Sequence, residues 1–125
     1  MNMNNIVLVG RLTKDVELKA NGDNKYTMNT IAVRRNRKDK NGEYLTDFFG
    51  LFLNGITAEN FCKIAHKGGL LSVAGPCQID KTSKDGKEYI NVNVYASSFD
   101  WLEKKEDHNA SAETVGNVDD DDLFP

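Results

Sequence analysis

DFFGLFLNGITAENFCKIAHKGG, residues 47–69, decides the fold. Its first eight residues, Asp47 to Asn54, are mostly aromatic or aliphatic and predict a buried strand. Alternation puts Phe49, Leu51 and Leu53 on one face and Phe48, Phe52 and Asn54 on the other, with Gly50 between. Gly55 breaks the strand. Thr57 then offers an N-cap, Ala58 and Glu59 suit a first turn, and Phe61, Ile64 and Ala65 form an apolar stripe at helical spacing. Lys67 and Gly68-Gly69 supply a C-terminal cation and a left-handed cap, so the helix is short and stops hard.

Outward from this block the chain reads as strands. Ile6 to Val9 is an apolar run followed by Gly10, which predicts strand one over about Asn4 to Leu12, with Val16 to Lys19 continuing it after a bulge. The turn cluster Asn21 to Asn24 precedes strand two, about Tyr26 to Arg35. Residues 34–44, RRNRKDKNGEY, carry five cations and two acids and predict a long exposed hairpin turning at Asn41-Gly42. On the other side, strand four begins at Leu70 and runs to about Asp80. KTSKDGKE, residues 81–88, is a second polar hairpin with Asp85-Gly86 at its tip. Strand five, Tyr89 to Phe99, alternates: Ile90, Val92, Val94 and Ala96 are expected in the core, with Tyr89, Asn91, Asn93 and Tyr95 opposite. An all-β chain with one helix between its third and fourth strands predicts a five-stranded OB-type barrel.

Composition bounds the rest. The chain has 125 residues, enough for one domain and a tail, and its 39% hydrophobic content supports one small core. Residues 1–102 sum to +3 and residues 103–125 to −6, so a mildly basic body carries an acidic end. The body is expected to meet polyanions and the end a basic partner. The reading is therefore a domain over 1–102, a flexible linker over 103–118 and an acidic-hydrophobic tip over 119–125. Cys62 and Cys77 form no CxxC pair, no apolar run approaches a membrane span, and Met1 to Asn5 is polar, so the expected compartment is the cytoplasm with both thiols reduced. No Ser-His-Asp set, phosphate loop or carboxylate pair stands out, and the expectation is a protein that is not an enzyme and needs no cofactor. Cys62 and His66, four apart on the helix, lack a third and fourth ligand, so no metal is expected.

The chain resembles the bacterial-type single-stranded DNA-binding proteins. The opening NNIVLVGRLTKDVEL, the block TDFFGLF with TAENF and KGG, the strand LLSVAG and the terminus DDDDLFP carry the resemblance, in order, over about the whole chain. It implies an OB barrel, a homotetramer, binding of single strands without strong sequence preference, and recruitment of replication, repair and recombination proteins through the tip. The short tail is similar to that of compact phage or plasmid versions, whose compartment is the host cytoplasm. Three positions depart from the usual aromatic pattern: about Arg37 at the first hairpin, Asn54 at the end of strand three, and about Thr82 at the second hairpin. The tip departs too, because Phe124 precedes Pro125 instead of following it.

A non-specific single-strand binder needs cations along a groove and flat faces for bases. The cations are Arg11 and Lys14; Arg34, Arg35, Arg37, Lys38 and Lys40; and Lys81, Lys84 and Lys87. Phe48 is the expected stacking ring, with Asn54, Tyr44, Tyr89 and the Arg planes sharing base contact. Phe52 is expected at a subunit contact, and Trp101 and the tyrosines are expected to report binding by fluorescence. Asp119, Asp120, Asp121, Asp122, Leu123, Phe124 and Pro125 form the expected partner peptide: four acids would serve solubility alone, but Leu123 and Phe124 would not. Two alternatives remain open: an OB-fold protein-interaction module that binds nucleic acid weakly, and RNA binding through the same barrel.

Overall fold

A computed structural model describes residues 1–103 of the chain. Eight strands and one helix follow in order: β1 Ile6–Leu12, β2 Lys19–Asn21, β3 Asn24–Lys38, β4 Tyr44–Asn54, α1 Gly55–Ile64, β5 Leu70–Gly75, β6 Cys77–Lys84, β7 Lys87–Tyr95 and β8 Ser98–Trp101. The sheet order is β6-β7-β4-β3-β1-β5-β8, and β2 pairs with β3. Strand four of the sequence reading is broken by Pro76 into β5 and β6. The two halves serve opposite ends of the sheet, β5 on β1 and β6 on β7, so one strand in the chain closes the barrel. All pairings are antiparallel except β4–β7, which is parallel over Gly50 to Phe52 against Asn93 to Tyr95.

The alternation of β4 holds. Leu51 and Leu53 are fully buried and Phe49 packs against the core, while Phe48 is exposed. Ile31, Leu71, Val73, Val94 and the helix residues Ala58, Phe61 and Ala65 complete the interior. Phe61 meets Phe99 edge-on at 5.3 Å, the favoured geometry for two ring quadrupoles. Two buried polar residues of β3 fasten the loop after β1: Thr27 donates to the Glu17 carbonyl at 2.8 Å, and Asn29 exchanges hydrogen bonds with the Lys14 backbone.

The helix departs from the reading at both ends. Asn54, not Thr57, is the N-cap, and its side chain makes no capping bond. Gly55 at φ +64° turns the chain from strand straight into helix, so no extended residue remains for Thr57 to cap. Ala65 ends the helix in an extended conformation before Gly68 is reached, although its N–H still donates to Phe61. The buried stripe is Ala58, Phe61 and Ala65, and Ile64 faces outward. Strand five is also corrected. Val94 and Ala96 are core, but Ile90 is 61% exposed, as is Ile79 at 63%, because the β6–β7 hairpin projects past the end of the barrel. The hairpin turns at Asp85 and Gly86, both with positive φ, the combination a two-residue turn between twisted strands requires.

Glu103, assigned to the linker, accepts hydrogen bonds from Arg11 at 2.8 Å and from the Leu70 N–H at 3.1 Å, which fastens it to the barrel. The rest of the linker and the tip 119–125 lie outside the described residues.

Candidate nucleic-acid interface

The register places one set of side chains on the outer face of β3, β4 and β7. Directly opposed residues share a face. Ala32 lies beside Phe48, Thr30 beside Gly50 and Asn93, Met28 beside Phe52 and Tyr95, and Tyr26 beside Asn54. Phe48 is 64% exposed at the end of this row nearer the two hairpins. Phe52 stacks on Tyr26 at 6.0 Å and meets Tyr95 at 5.3 Å. It is thus half covered by rings of its own chain. Beyond it, Tyr26, Phe52 and Asn54 line a cavity of about 430 Å³ with Asn21, Asn24, Lys25 and Gly55.

Two hairpins bracket this face. In the β3–β4 hairpin, β3 carries extra residues between Arg34 and Lys38, and this bulge sorts the cations. The Arg34 guanidinium lies 5.0 Å and the Lys38 ammonium 5.5 Å from the centroid of the Tyr44 ring, on the Phe48 side. Arg35 instead makes a bidentate pair with Asp47, both bonds 2.9 Å. That pair holds the Asp47 carboxyl below its ordinary value, chiefly by Arg35's hydrogen bonds, and raises the Arg35 guanidinium in turn. Arg35 and Arg37 line a cavity of about 350 Å³ with Leu45, Lys38 and Asp39. Lys40 stands exposed in the tip, where the Asp39 carboxylate accepts from the N–H groups of Asn41 and Glu43.

In the β6–β7 hairpin, Thr82 pairs with Tyr89 and Lys84 with Lys87. Counting along the strands from Asn93, Tyr89, Lys84 and Lys87 share the Phe48 face, and Lys81 lies on the reverse with Ile79 and Ile90. Tyr89 therefore stands across the ladder from Thr82, and Tyr44 across from Lys38. At both hairpins the ring missing from one strand is present on its neighbour. That relocation is invisible until the register is known.

Two expected cations sit differently. Arg11 donates to the Gly68 carbonyl and to Glu103, so its guanidinium is drawn to the β5 side and ion-paired. Lys14 flanks the face beside Met28, where both line a cavity of about 360 Å³. Trp101 lies on β8, its ring 5.0 Å from His66 and packed over Gly69, away from the bracketed face. Only the tyrosines are placed to report on a ligand there. Cys62 packs against the core, and among the described residues no group of three or more His, Cys, Asp or Glu side chains converges. Sequence reasoning missed Tyr26 and Tyr95, whose alternation on their strands was the available signal.

A barrel of this topology, with exposed rings between two cationic hairpins on one sheet face, defines an OB-type nucleic-acid-binding module. The Single-strand binding protein family model matches residues 3–102, and the chain belongs to that family. The chain is similar to a single-stranded DNA-binding protein 2 of Streptococcus agalactiae serotype III (strain NEM316), 38% identical over 103 residues, covering 82% of this chain and 79% of that one. It is 33% identical over 107 residues to a single-stranded DNA-binding protein of Staphylococcus epidermidis (strain ATCC 12228 / FDA PCI 1200), covering 86% and 82%. A single-stranded DNA-binding protein 3 of Streptococcus agalactiae serotype V (strain ATCC BAA-611 / 2603 V/R) is 34% identical over 97% of this chain and 98% of its own length. The crystal structure of a small single-stranded DNA-binding protein from Streptomyces coelicolor superposes with TM-score 0.70 at 19% identity, covering 81% of this chain and 95% of that one, which shows the shared fold.

Proposed function

We propose that this protein binds single-stranded DNA without strong sequence preference, coating it during replication, repair and recombination. The observation that carries the reading is Phe48: a large ring left 64% exposed on that face, between two arms that each add a tyrosine and cations. An aromatic so exposed adds less to folding than a buried one and offers its plane to a base. Arg34, Lys38, Lys84 and Lys87 share the face of that ring and suit the phosphates, with Lys14, Lys40, Arg37 and Lys81 flanking it or on the reverse. Binding is non-covalent and involves no enzymatic step. The two relocated tyrosines weaken the motive for a protein-docking module that barely binds nucleic acid. One titration with oligo-dT, duplex DNA and oligo-U at two salt concentrations tests the reading. Oligo-dT is expected to bind tightest, with log affinity falling by about 0.7 per phosphate contact for each log unit of salt. A flat salt response, or preference for duplex or oligo-U, refutes it.

The tip 119–125 recruits partner proteins, in this reading, and competes weakly for the basic face. Deleting it leaves affinity for oligo-dT equal or higher, and a marked loss contradicts this. Self-association, to a tetramer, is supported by Val7 and Val9, which expose an apolar row on β1 beside Ser72 and Ala74 of β5. Light scattering of the full chain checks it. Among the described residues no helix is long and apolar enough to cross a membrane; the working compartment we propose is the cytoplasm.

A further inference from the structure

Asp80 puts a carboxylate on the face that is read above as meeting a polyanion. Its strand pairing, Asp80 with Asn91 and Gln78 with Asn93, places it on the same side as Phe48 and Tyr89. The carboxylate is half-buried and held from two sides. Gln78 Nε2 donates to Oδ1 at 3.0 Å, and Asn93 Nδ2 donates to Oδ2 at 2.6 Å. Asn93 in turn lies across Gly50, where a Cβ would collide with its side-chain oxygen. Gly50 is thus the vacancy that lets a polar row, Gly50–Asn93–Asp80–Gln78, cross the sheet next to Phe48. A carboxylate locked by two amides, and not by a cation, has no evident electrostatic reason to sit among phosphate-binding groups.

Resting on the strand-binding reading, we infer that Asp80 reads base edges: it accepts hydrogen bonds from an amino-bearing base stacked on Phe48 and disfavours thymine there. Geometry and chemistry agree. Where the seam pairs Gly50 with Asn93, two strand spacings of about 4.8 Å put the β6 backbone about 10 Å from that of β4, close to one base width plus a hydrogen bond. Repulsion keeps phosphates off Asp80 and towards Arg34, Lys38, Lys84 and Lys87, which turns the base edge inward. A carboxylate only accepts. Guanine presents two adjacent N–H donors to it, and cytosine and adenine one amino group each. Thymine presents a single N–H flanked by two carbonyl oxygens that the carboxylate repels. The two amides fix the acceptor, so little rotamer freedom is lost on contact.

The test compares an oligo-dT with an equally long oligo-dT carrying isolated guanines, by anisotropy at one salt concentration. The wild-type chain is expected to favour the guanine-bearing strand by about fivefold, the lower end of what one fixed edge contact contributes. Asp80→Ala should bind oligo-dT more tightly, because repulsion is gone, and lose the preference. Asp80→Asn, which retains the shape and one accepting oxygen for Asn93 while the exposed Gln78 amide turns its own oxygen to the new NH2, should shrink it as well and guards against a folding defect in the alanine variant. If both variants gain affinity for the two strands equally and the ratio stands, Asp80 is only a like-charged spacer and the inference is overturned. If the wild type binds both strands tightly but equally, the base preference alone fails. If it binds neither, the strand-binding reading fails first and this falls with it.

Discussion

Replacing Phe48 by alanine separates stability from binding within one side chain. At 64% exposure, about a third of the ring is covered by the sheet. A Phe side chain carries roughly 150–250 Å², so truncation uncovers on the order of 50–90 Å², or about 1–2 kcal/mol at ~25 cal/mol per Å². The fully buried Phe61 should cost about 3–5 kcal/mol for the same change. Binding reverses that order. A stacked base is worth about 1–3 kcal/mol, so Phe48→Ala should weaken oligo-dT binding by about 5- to 150-fold. Phosphate contacts are untouched, so the slope of log affinity against log salt should match the wild type. Anisotropy titrations at two salt concentrations, beside a thermal melt, measure all three quantities. An affinity within twofold of wild type, with the protein folded, would refute the assignment of Phe48 to a base.

Arg34→Ala should lower the salt slope by about 0.7, whereas Arg35→Ala should barely change it because Asp47 already neutralises Arg35; parallel salt titrations distinguish the two. Tyr89→Ala should weaken oligo-dT binding, again by about 1–3 kcal/mol, and abolish part of the tyrosine fluorescence response, while Trp101 emission stays unmoved by DNA in both proteins. The Asp47 carboxyl is depressed in the folded state, so its contribution to stability is present above the ordinary carboxylate range and is lost as pH falls through the folded value. Melts of wild type and Arg35→Ala should therefore differ at neutral pH and converge in strong acid. Gly69→Ala drives a methyl into the Trp101 ring and should cost about 1–3 kcal/mol, seen as a lower melting temperature with shifted Trp emission.

Periodicity made the interior of β4 legible because Phe49, Leu51 and Leu53 repeat every second residue, and the same count left Phe48 outside. It failed where a pattern outlives its surroundings. Ile79, Ile90 and Val92 keep the inward parity of Val94, but the barrel ends beneath them, and parity cannot reveal where a hairpin leaves its support. Strand four was read straight through Pro76, and only pairing shows that the two sides of that proline join different neighbours. Thr57 has the chemistry of a cap, and Gly55 pre-empted it through a positive φ that composition does not encode. Among the site residues, the cation list was readable as charge, but partner choice was not. Arg11 and Glu103 are separated by most of the domain, and Arg35 differs from Arg34 only in which side of a bulge it falls on.

The short parallel seam between β4 and β7 has a mechanical consequence. Three residue pairs, brought together across some forty residues of chain, close the cylinder there. Phe48 sits on one bank and Tyr89 on the other, so a nucleotide chain touching both laces the seam shut. Linkage then demands that whatever grips both banks also slows their parting. Amide protons at Leu51 and Val94, buried at the join, should exchange with deuterium more slowly once oligo-dT is bound, which makes the ligand part of what holds the cylinder together.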